Sequence, residues 1–297
     1  MKQQLQKTKS SKSAFSMFYR VLVLILGFSV SSACYSQNTN HPGGIVDLRI
    51  QKLNNDLPVV KYGLHEPTII DRNTEWQVLV GIGLDTLPGE YLVYIKQAVN
   101  DADAYSQVFQ IQQKPINQNA FASYKDQPQK TAIHHKTFTD INFQNTQQPS
   151  FPLKYPIEGA WTNHFGTSVG TPIDTDQQGV EPINFISLNT TKHSPVQSPQ
   201  NGIITRIQPF DSDRGSNNNE EEYSYTVFID HGRGLLSIIS GISNLTVKTG
   251  NGVNAGTVLG MLTTNDEKEQ QAKQLIWQTV LNGEYVNPEL LTQINSQ

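Results

Sequence analysis

Short runs of alternating hydrophobic and polar residues, separated by turn-forming residues, make up most of the chain after residue 40. Between residues 39 and 113, six such runs predict six short strands, and Asp71-Arg-Asn-Thr and Leu87-Pro-Gly provide turn signals between them. Six or seven strands in about 75 residues fit a small immunoglobulin-like β-sandwich. Trp76 begins an apolar run, so we expect it to be a core residue and not a binding aromatic.

A second set of strand patterns begins at residue 151 and continues to the C-terminus. Its β-branched runs alternate with Pro, Asn and Gly, which predicts another all-β unit over residues 151–297. The connecting residues 114–150 are polar and unpatterned, which indicates a linker. His134 and His135 lie in this linker with no other ligand at a useful spacing, so we expect a solvated pair and no metal site.

The N-terminal 33 residues have the order of a targeting segment. Residues 1–46 contain no Asp or Glu, and Lys and Arg residues precede the apolar run Val21–Val30. That run is shorter than the roughly 20 residues that a membrane span needs, so it predicts a signal peptide, with an uncleaved anchor as the alternative. Cys34, the single cysteine, follows small residues as in a bacterial lipobox. Lipidation of Cys34 and ordinary cleavage before it both remain open, and both predict an exported protein without an internal disulfide.

Composition narrows the classes of partner. The chain is 36% hydrophobic and only 16% charged, with a net charge of −4. This balance provides no electrostatic reason to expect nucleic acid or an anionic membrane surface as a partner. Contact with a membrane is therefore expected only through a lipid at the N-terminus.

Five motifs follow one another after residue 151: Pro156-Ile-Glu-Gly-Ala with His164-Phe-Gly, Ser194-Pro-Val-Gln-Ser-Pro-Gln-Asn-Gly-Ile-Ile, Ile229-Asp-His-Gly-Arg-Gly, Val253-Asn-Ala-Gly-Thr-Val-Leu-Gly and Asn282-Gly-Glu-Tyr-Val-Asn-Pro. In their order and spacing they resemble peptidase family M23, the LytM or lysostaphin type of zinc endopeptidase that cuts peptidoglycan cross-bridges. The resemblance implies an antiparallel β-sheet core of the barrel-sandwich type, and some members of the family carry a sandwich ahead of it.

The resemblance also locates the family's zinc ligands and catalytic histidines in this chain. The ligands are a histidine and an aspartate four residues apart, with the second histidine of a His-x-His strand; they correspond to Val180, Asn184 and Ile276. The two catalytic histidines correspond to Gly241 and Gln274. A catalytic zinc needs three protein ligands and an open position, and none of these five residues offers an imidazole or a carboxylate. We therefore expect that the zinc and the catalysis are lost.

No other residues form an obvious replacement for the lost ligands. His164, His193 and His231 belong to three separate motifs or loops, and Glu181 provides only a single carboxylate beside the ligand position. For the groove that would remain, we expect Asn184, His231 and Gln274 to be the residues that bind a ligand.

These observations predict a non-catalytic cell-envelope protein without a cofactor, located in the periplasm or anchored to the outer membrane as a lipoprotein. The resemblance implies that its partner is peptidoglycan or a cell-wall hydrolase, as for degenerate members of the family that activate amidases. The first alternative is an active zinc endopeptidase that cleaves peptidoglycan cross-links with ligands from elsewhere in the chain. The second alternative is a purely structural envelope lipoprotein.

Overall fold

Six strands in the first half of the chain form two three-stranded antiparallel sheets. A computed structural model describes residues 39–97, 104–113, 145–167, 182–190, 193–210, 224–262 and 273–294. The sheets have the orders β1-β4-β3 and β2-β5-β6, which are the orders of strands B-E-D and C-F-G in an immunoglobulin-like sandwich. The strands are β1 (Ile45–Gln51), β2 (Val59–Lys61), β3 (Thr68–Arg72), β4 (Glu75–Gly81), β5 (Gly89–Lys96) and β6 (Ala104–Ile111).

The alternation of side chains along these strands builds the core of the sandwich. On β4, Trp76, Val78 and Val80 are buried between the two sheets. Leu79 lies on the opposite side of the strand and belongs to a different core. Trp76 is buried as expected of a core residue, and the amino group of Lys52 lies 4.1 Å from its ring centroid.

Strands in the second half form an eight-stranded antiparallel sheet and a separate two-stranded sheet. The large sheet has the order β13-β10-β11-β12-β15-β8-β7, with β16 paired to β15, and β14 pairs with β9. The elements are β7 (Thr162–Asn163), β8 (Ile186–Thr190), β9 (Ser194–Gln197), β10 (Gly202–Pro209), β11 (Tyr225–Gly232), β12 (Leu235–Ile242), β13 (Gly252–Val253), β14 (Val258–Leu262), β15 (Lys273–Leu281), β16 (Glu284–Val286) and α1 (Pro288–Leu291).

The centre of the large sheet is covered on both faces. All eight residues of β12 are buried, which explains why its sequence is a nearly continuous apolar run interrupted by serines.

The single turn α1 begins at Asn287, whose side chain accepts a hydrogen bond from the Glu289 amide. The predicted all-β, antiparallel fold is confirmed, and the sheet remains open between β13 and β7 in the described residues.

The sandwich packs against the second half of the chain, and Asn38–Gln297 is one compact unit. Ile45, Ile70 and Leu79, on the outer side of the β1-β4-β3 sheet, join the main core of the second half. Thr68 Oγ1 donates a hydrogen bond to the Arg233 carbonyl at 2.7 Å and accepts one from Asn282 Nδ2 at 3.0 Å. A shared core therefore joins the two regions, and the boundaries 39–113 and 151–297 stay a prediction.

Several predictions fall outside the described residues: the signal peptide with Cys34, the greater part of the linker with His134 and His135, Val180 and Glu181. Among the residues that the structure describes, no helix has the length and apolar character needed to cross a membrane.

Candidate functional site

The strand that corresponds to the family's His-x-His segment, β15, lies at the middle of the large sheet. Ile276 is paired with Ser240 of β12 on one side and with Ser187 of β8 on the other. Because side chains alternate along a strand, Gln274 and Ile276 share one face of the sheet, and Trp277 lies on the opposite face. The face of Gln274 and Ile276 is the one that would carry a metal site.

An apolar cluster surrounds Ile276, the residue that the motif resemblance pairs with the second histidine ligand. Ile276 is fully buried and packs with Ile183 and Phe185, and the partly buried Phe210 completes the group. Burying a large apolar side chain stabilises a fold by about 1.5–3 kcal/mol. This position therefore contributes to stability through burial, and its side chain has no lone pair to offer a metal.

Asn184, at the position of the aspartate ligand, is held by a hydrogen bond within the sheet. Its Oδ1 accepts a hydrogen bond from Gln278 Nε2 at 2.7 Å, and both side chains are buried. Burial raises the pKa of the Tyr285 hydroxyl, and the nearby Gln278 side chain partly opposes this rise. Neutral amides are poor zinc ligands, and this amide oxygen is already bonded to another side chain.

Gly241, at the position of a catalytic histidine, lies directly against the backbone of β15. It has φ of 96°, and a Cβ atom added there would meet the main-chain oxygen of Gln274. The pairing of β12 with β15 ends one residue earlier, at Ser240 and Ile276. A side chain of any size at this position requires the two strands to move apart, so the structure leaves no space here for the histidine that the resemblance would place at this position.

His231 lies on the opposite face of the sheet, in a buried polar network. Its Nδ1–H donates to the Asn201 carbonyl at 2.8 Å, and its Nε2 accepts from Ser237 Oγ at 2.9 Å. Trp277 Nε1 donates to the same Ser237 oxygen at 3.4 Å. Burial lowers the pKa of His231 to about 4, so the ring is neutral at neutral pH.

The placement of His231 differs from its expected role in the groove, because its ring is buried and both nitrogens are already bonded. Of the three residues expected to bind a ligand, only Gln274 is partly exposed, and Asn184 is buried against Gln278. A binding role for any of the three stays a prediction.

Asp230 and Gly232, on either side of His231 in the sequence, contact the C-terminal end of the linker. Asp230 accepts hydrogen bonds from the backbone amides of Asn145, at 3.1 Å, and Gly232, at 2.9 Å. Gly232 has φ of 103°, and a Cβ atom there would collide with the Gln147 carbonyl oxygen. Each residue of the Asp-His-Gly motif therefore has a structural role, and the contact with Asn145 is one that the sequence pattern did not indicate.

His164 and His193 do not come together with these residues. His164 is buried, which lowers its pKa, and His193 is exposed in the loop before β9. Within the described ranges there is no group of three or more His, Cys, Asp or Glu side chains that could hold a metal ion. The side chains present at Asn184, Gly241, Gln274 and Ile276 do not fit a zinc ion.

Comparisons with known proteins agree with this architecture. Residues 182–288 match the model of Peptidase family M23. A putative peptidase M23 from Pseudomonas aeruginosa aligns with 86% of this chain and 95% of its own at 20% identity, with a TM-score of 0.58, which shows a shared fold. No curated protein sequence matches the chain.

Two further solved structures align less closely. A zinc containing peptidase from Vibrio cholerae aligns over 50% of this chain and 41% of its own at 16% identity, with a TM-score of 0.35. Csd3 from Helicobacter pylori aligns over 85% of this chain and 77% of its own at 11% identity, with a TM-score of 0.37.

Proposed function

Because residues 182–288 form a domain of peptidase family M23, we propose that the protein is a non-catalytic component of the cell envelope. Its M23 domain binds peptidoglycan, or binds and regulates a cell-wall hydrolase. The observation that carries this proposal is the buried apolar cluster around Ile276, where the family has a metal-binding histidine.

The chemistry of the site supports the loss of activity. Hydrolysis by a zinc peptidase requires a metal-bound water, and the metal requires three ligands with an open position. Ile276 cannot bind a metal, the Asn184 amide is bonded to Gln278, and Gly241 leaves no room for a histidine. A charged ion at this position would also lose its hydration to an apolar environment, which costs several kcal/mol or more.

The proposal of a binding role rests on what the domain retains. The described strands of the large sheet are paired, and the buried network around His231 is held by hydrogen bonds and not by a metal. Gln274 remains partly exposed at the edge of the former site and is the residue with which a ligand in the groove would make contact.

The loss of activity is tested by the zinc content and peptidoglycan hydrolysis of the purified exported chain. We expect far less than one zinc per chain, and no cleavage of peptidoglycan under conditions in which an active peptidase of the same family cleaves it. Stoichiometric zinc, together with cleavage that disappears on chelation, would show that the protein is an active endopeptidase.

The binding role is tested by sedimentation of the protein with purified peptidoglycan and by amidase assays with and without added protein. We expect co-sedimentation, or an increase in amidase activity, that Gln274→Ala reduces and that Gln51→Ala, an exposed change on the sandwich, leaves unchanged. If neither effect is observed, the protein is a structural envelope component and the proposal is wrong.

A further inference from the structure

The two outer faces of the sandwich differ in what covers them. The β1-β4-β3 sheet places Ile45, Ile70 and Leu79 against the second half of the chain. The outer face of the β2-β5-β6 sheet instead has four exposed apolar side chains: Leu92 (59% exposed), Val108 (56%), Val59 (47%) and Tyr94 (40%). Contiguous exposed apolar side chains on a soluble protein typically mark an interaction site.

These side chains form one stripe across the three strands. Leu92 and Val108 are directly opposite each other in the β5–β6 ladder, and Tyr94 follows two residues later on the same face of β5. Lys61 of β2 is paired with Tyr94, and Val59 is paired with Lys96, so Val59 lies diagonally from Tyr94 on the third strand, at the basic end of the face. The stripe is therefore a property of the ladder register and not of a loose end of the chain.

Opposite charges lie at the two ends of this face. Along the outer side of β5 the order is Glu90, Leu92, Tyr94 and Lys96. Glu90 accepts a hydrogen bond from Gln110 Nε2 at 2.7 Å, which holds its carboxylate over the outer face. Lys61 adds a second positive charge at the basic end. The face thus runs from acidic through apolar to basic along one strand.

We propose that this face docks onto the same face of a second copy of the chain, with the two β5 strands antiparallel. A two-fold axis that lies across β5 at Val93 relates position 92 to 94 and position 90 to 96. Glu90 of one copy then faces Lys96 of the other, and Leu92 faces Tyr94. Each contact occurs twice, as in isologous dimers.

The charges also exclude the other simple arrangement. A two-fold axis parallel to β5 would set Glu90 against Glu90 and Lys96 against Lys96, and like charges in contact are unfavourable. An unrelated partner would need no such symmetric row of charges, so the pattern favours a second copy.

The size of the face predicts a weak dimer. Three strands spaced by about 4.8 Å, with eight residues rising by about 3.4 Å each, present roughly 400 Å² per copy. Stable interfaces bury about 800 Å² per partner, so we expect a reversible dimer that forms at high protein concentration.

The experiment is analytical ultracentrifugation of the exported chain over a range of concentrations. We expect a monomer–dimer equilibrium that Glu90→Lys or Lys96→Glu alone weakens by about tenfold, and that the double variant restores to within about threefold. Thermal unfolding of each variant shows whether it folds. The double variant Lys154→Glu/Glu158→Lys, which reverses two exposed charges on the second half, is the matched control and leaves the equilibrium unchanged.

Two results would overturn the proposal. One is a monomer at every concentration, in which case the face is free for a different partner. The other is a dimer that neither single charge reversal weakens more than the control does, or that the double variant fails to restore.

Discussion

The two faces of β15 bury different kinds of side chain. On one face, Trp277, Ser237 and His231 form a connected polar network in which every ring nitrogen has a partner. On the other face, Ile276, which the motif resemblance pairs with a metal-binding histidine, lies in an apolar cluster. The ring nitrogens of the first face are satisfied by hydrogen bonds, and the second face combines the apolar cluster with the Asn184–Gln278 hydrogen bond.

This difference has an energetic reason. A buried polar group without a partner costs about 1–3 kcal/mol, and a buried charge costs more. A set of zinc ligands without zinc is such an unsatisfied group, whereas isoleucine in an apolar cluster needs no partner and the Asn184–Gln278 hydrogen bond satisfies the Asn184 oxygen. The other oxygen of this amide pair, Gln278 Oε1, is buried without a hydrogen-bond partner among the described residues.

The largest loss of stability is expected at Gly241, where β12 lies directly against the backbone of β15. Gly241→His places a side chain at positive φ against the Gln274 carbonyl oxygen, so we expect a loss of about 4 kcal/mol or more in the free energy of unfolding. Chemical denaturation measures this loss. Gly252→Ala, where a Cβ atom would enter open space, is the control. A loss below 1 kcal/mol for Gly241→His would show that the two strands move apart easily.

The stability contributed by the face of β15 that contacts His231 should depend on pH. The folded pKa of His231, about 4, is below its unfolded value of about 6.5, so between these values the unfolded state takes up a proton that the folded state does not. Stability from this residue is present above pH 6.5 and is lost as pH falls toward 4, by up to about 3 kcal/mol.

Denaturation at pH 7 and pH 4 checks this prediction, with His231→Gln as the variant that removes the titrating group. We expect the variant to lose less stability between the two pH values than the parent does. Equal losses would mean that His231 does not contribute to the acid sensitivity. The acid sensitivity would then come from other groups, such as the buried His164, whose pKa is also lowered.

A smaller effect is expected at the apolar cluster itself. Ile276→His brings back the family's ligand but buries an imidazole beside Ile183 and Phe185, so we expect a loss of about 2–3 kcal/mol. Ile276→Leu keeps the apolar volume and should cost less than about 1.5 kcal/mol. Added zinc should not raise the melting temperature of Ile276→His, and a rise would show that a metal site can still form.

The smallest effect on stability is expected for a buried hydrogen bond that lies outside both faces of β15. Thr68→Val removes the hydroxyl that joins the sandwich to Arg233 and Asn282, so we expect a loss of about 1 kcal/mol. Thr246→Val removes an exposed hydroxyl that donates to the Val258 carbonyl, and its cost should stay within about 0.5 kcal/mol. Equal costs for the two variants would show that the Thr68 contact does not stabilise the packing.

Most of the fold could be predicted from local patterns. Strands and turns are encoded by alternation and by turn residues over a few positions, as in the β4 run from Trp76 and the Asp-His-Gly hairpin. The sequence also shows that Asn184 and Ile276 offer neither an imidazole nor a carboxylate, and the identity of a side chain limits what it can coordinate.

What fills the site depends on contacts between distant residues. The Asn184–Gln278 hydrogen bond joins residues 94 positions apart, and the anchoring of Asn145 by Asp230 spans 85. The burial of His231 and the closure of β12 against β15 at Gly241 likewise depend on which strands become neighbours.

The sequence alone therefore determined that this protein is an all-β chain whose residues 182–288 match the M23 family model and whose side chains at Asn184, Gly241, Gln274 and Ile276 offer no imidazole or carboxylate, because those properties belong to single residues and short patterns. Only the tertiary structure decided that the site around Ile276 is closed by an apolar cluster, an amide pair and a strand contact. Packing and hydrogen bonding are properties of groups that the fold brings together, and the order of residues along the chain does not specify them one by one.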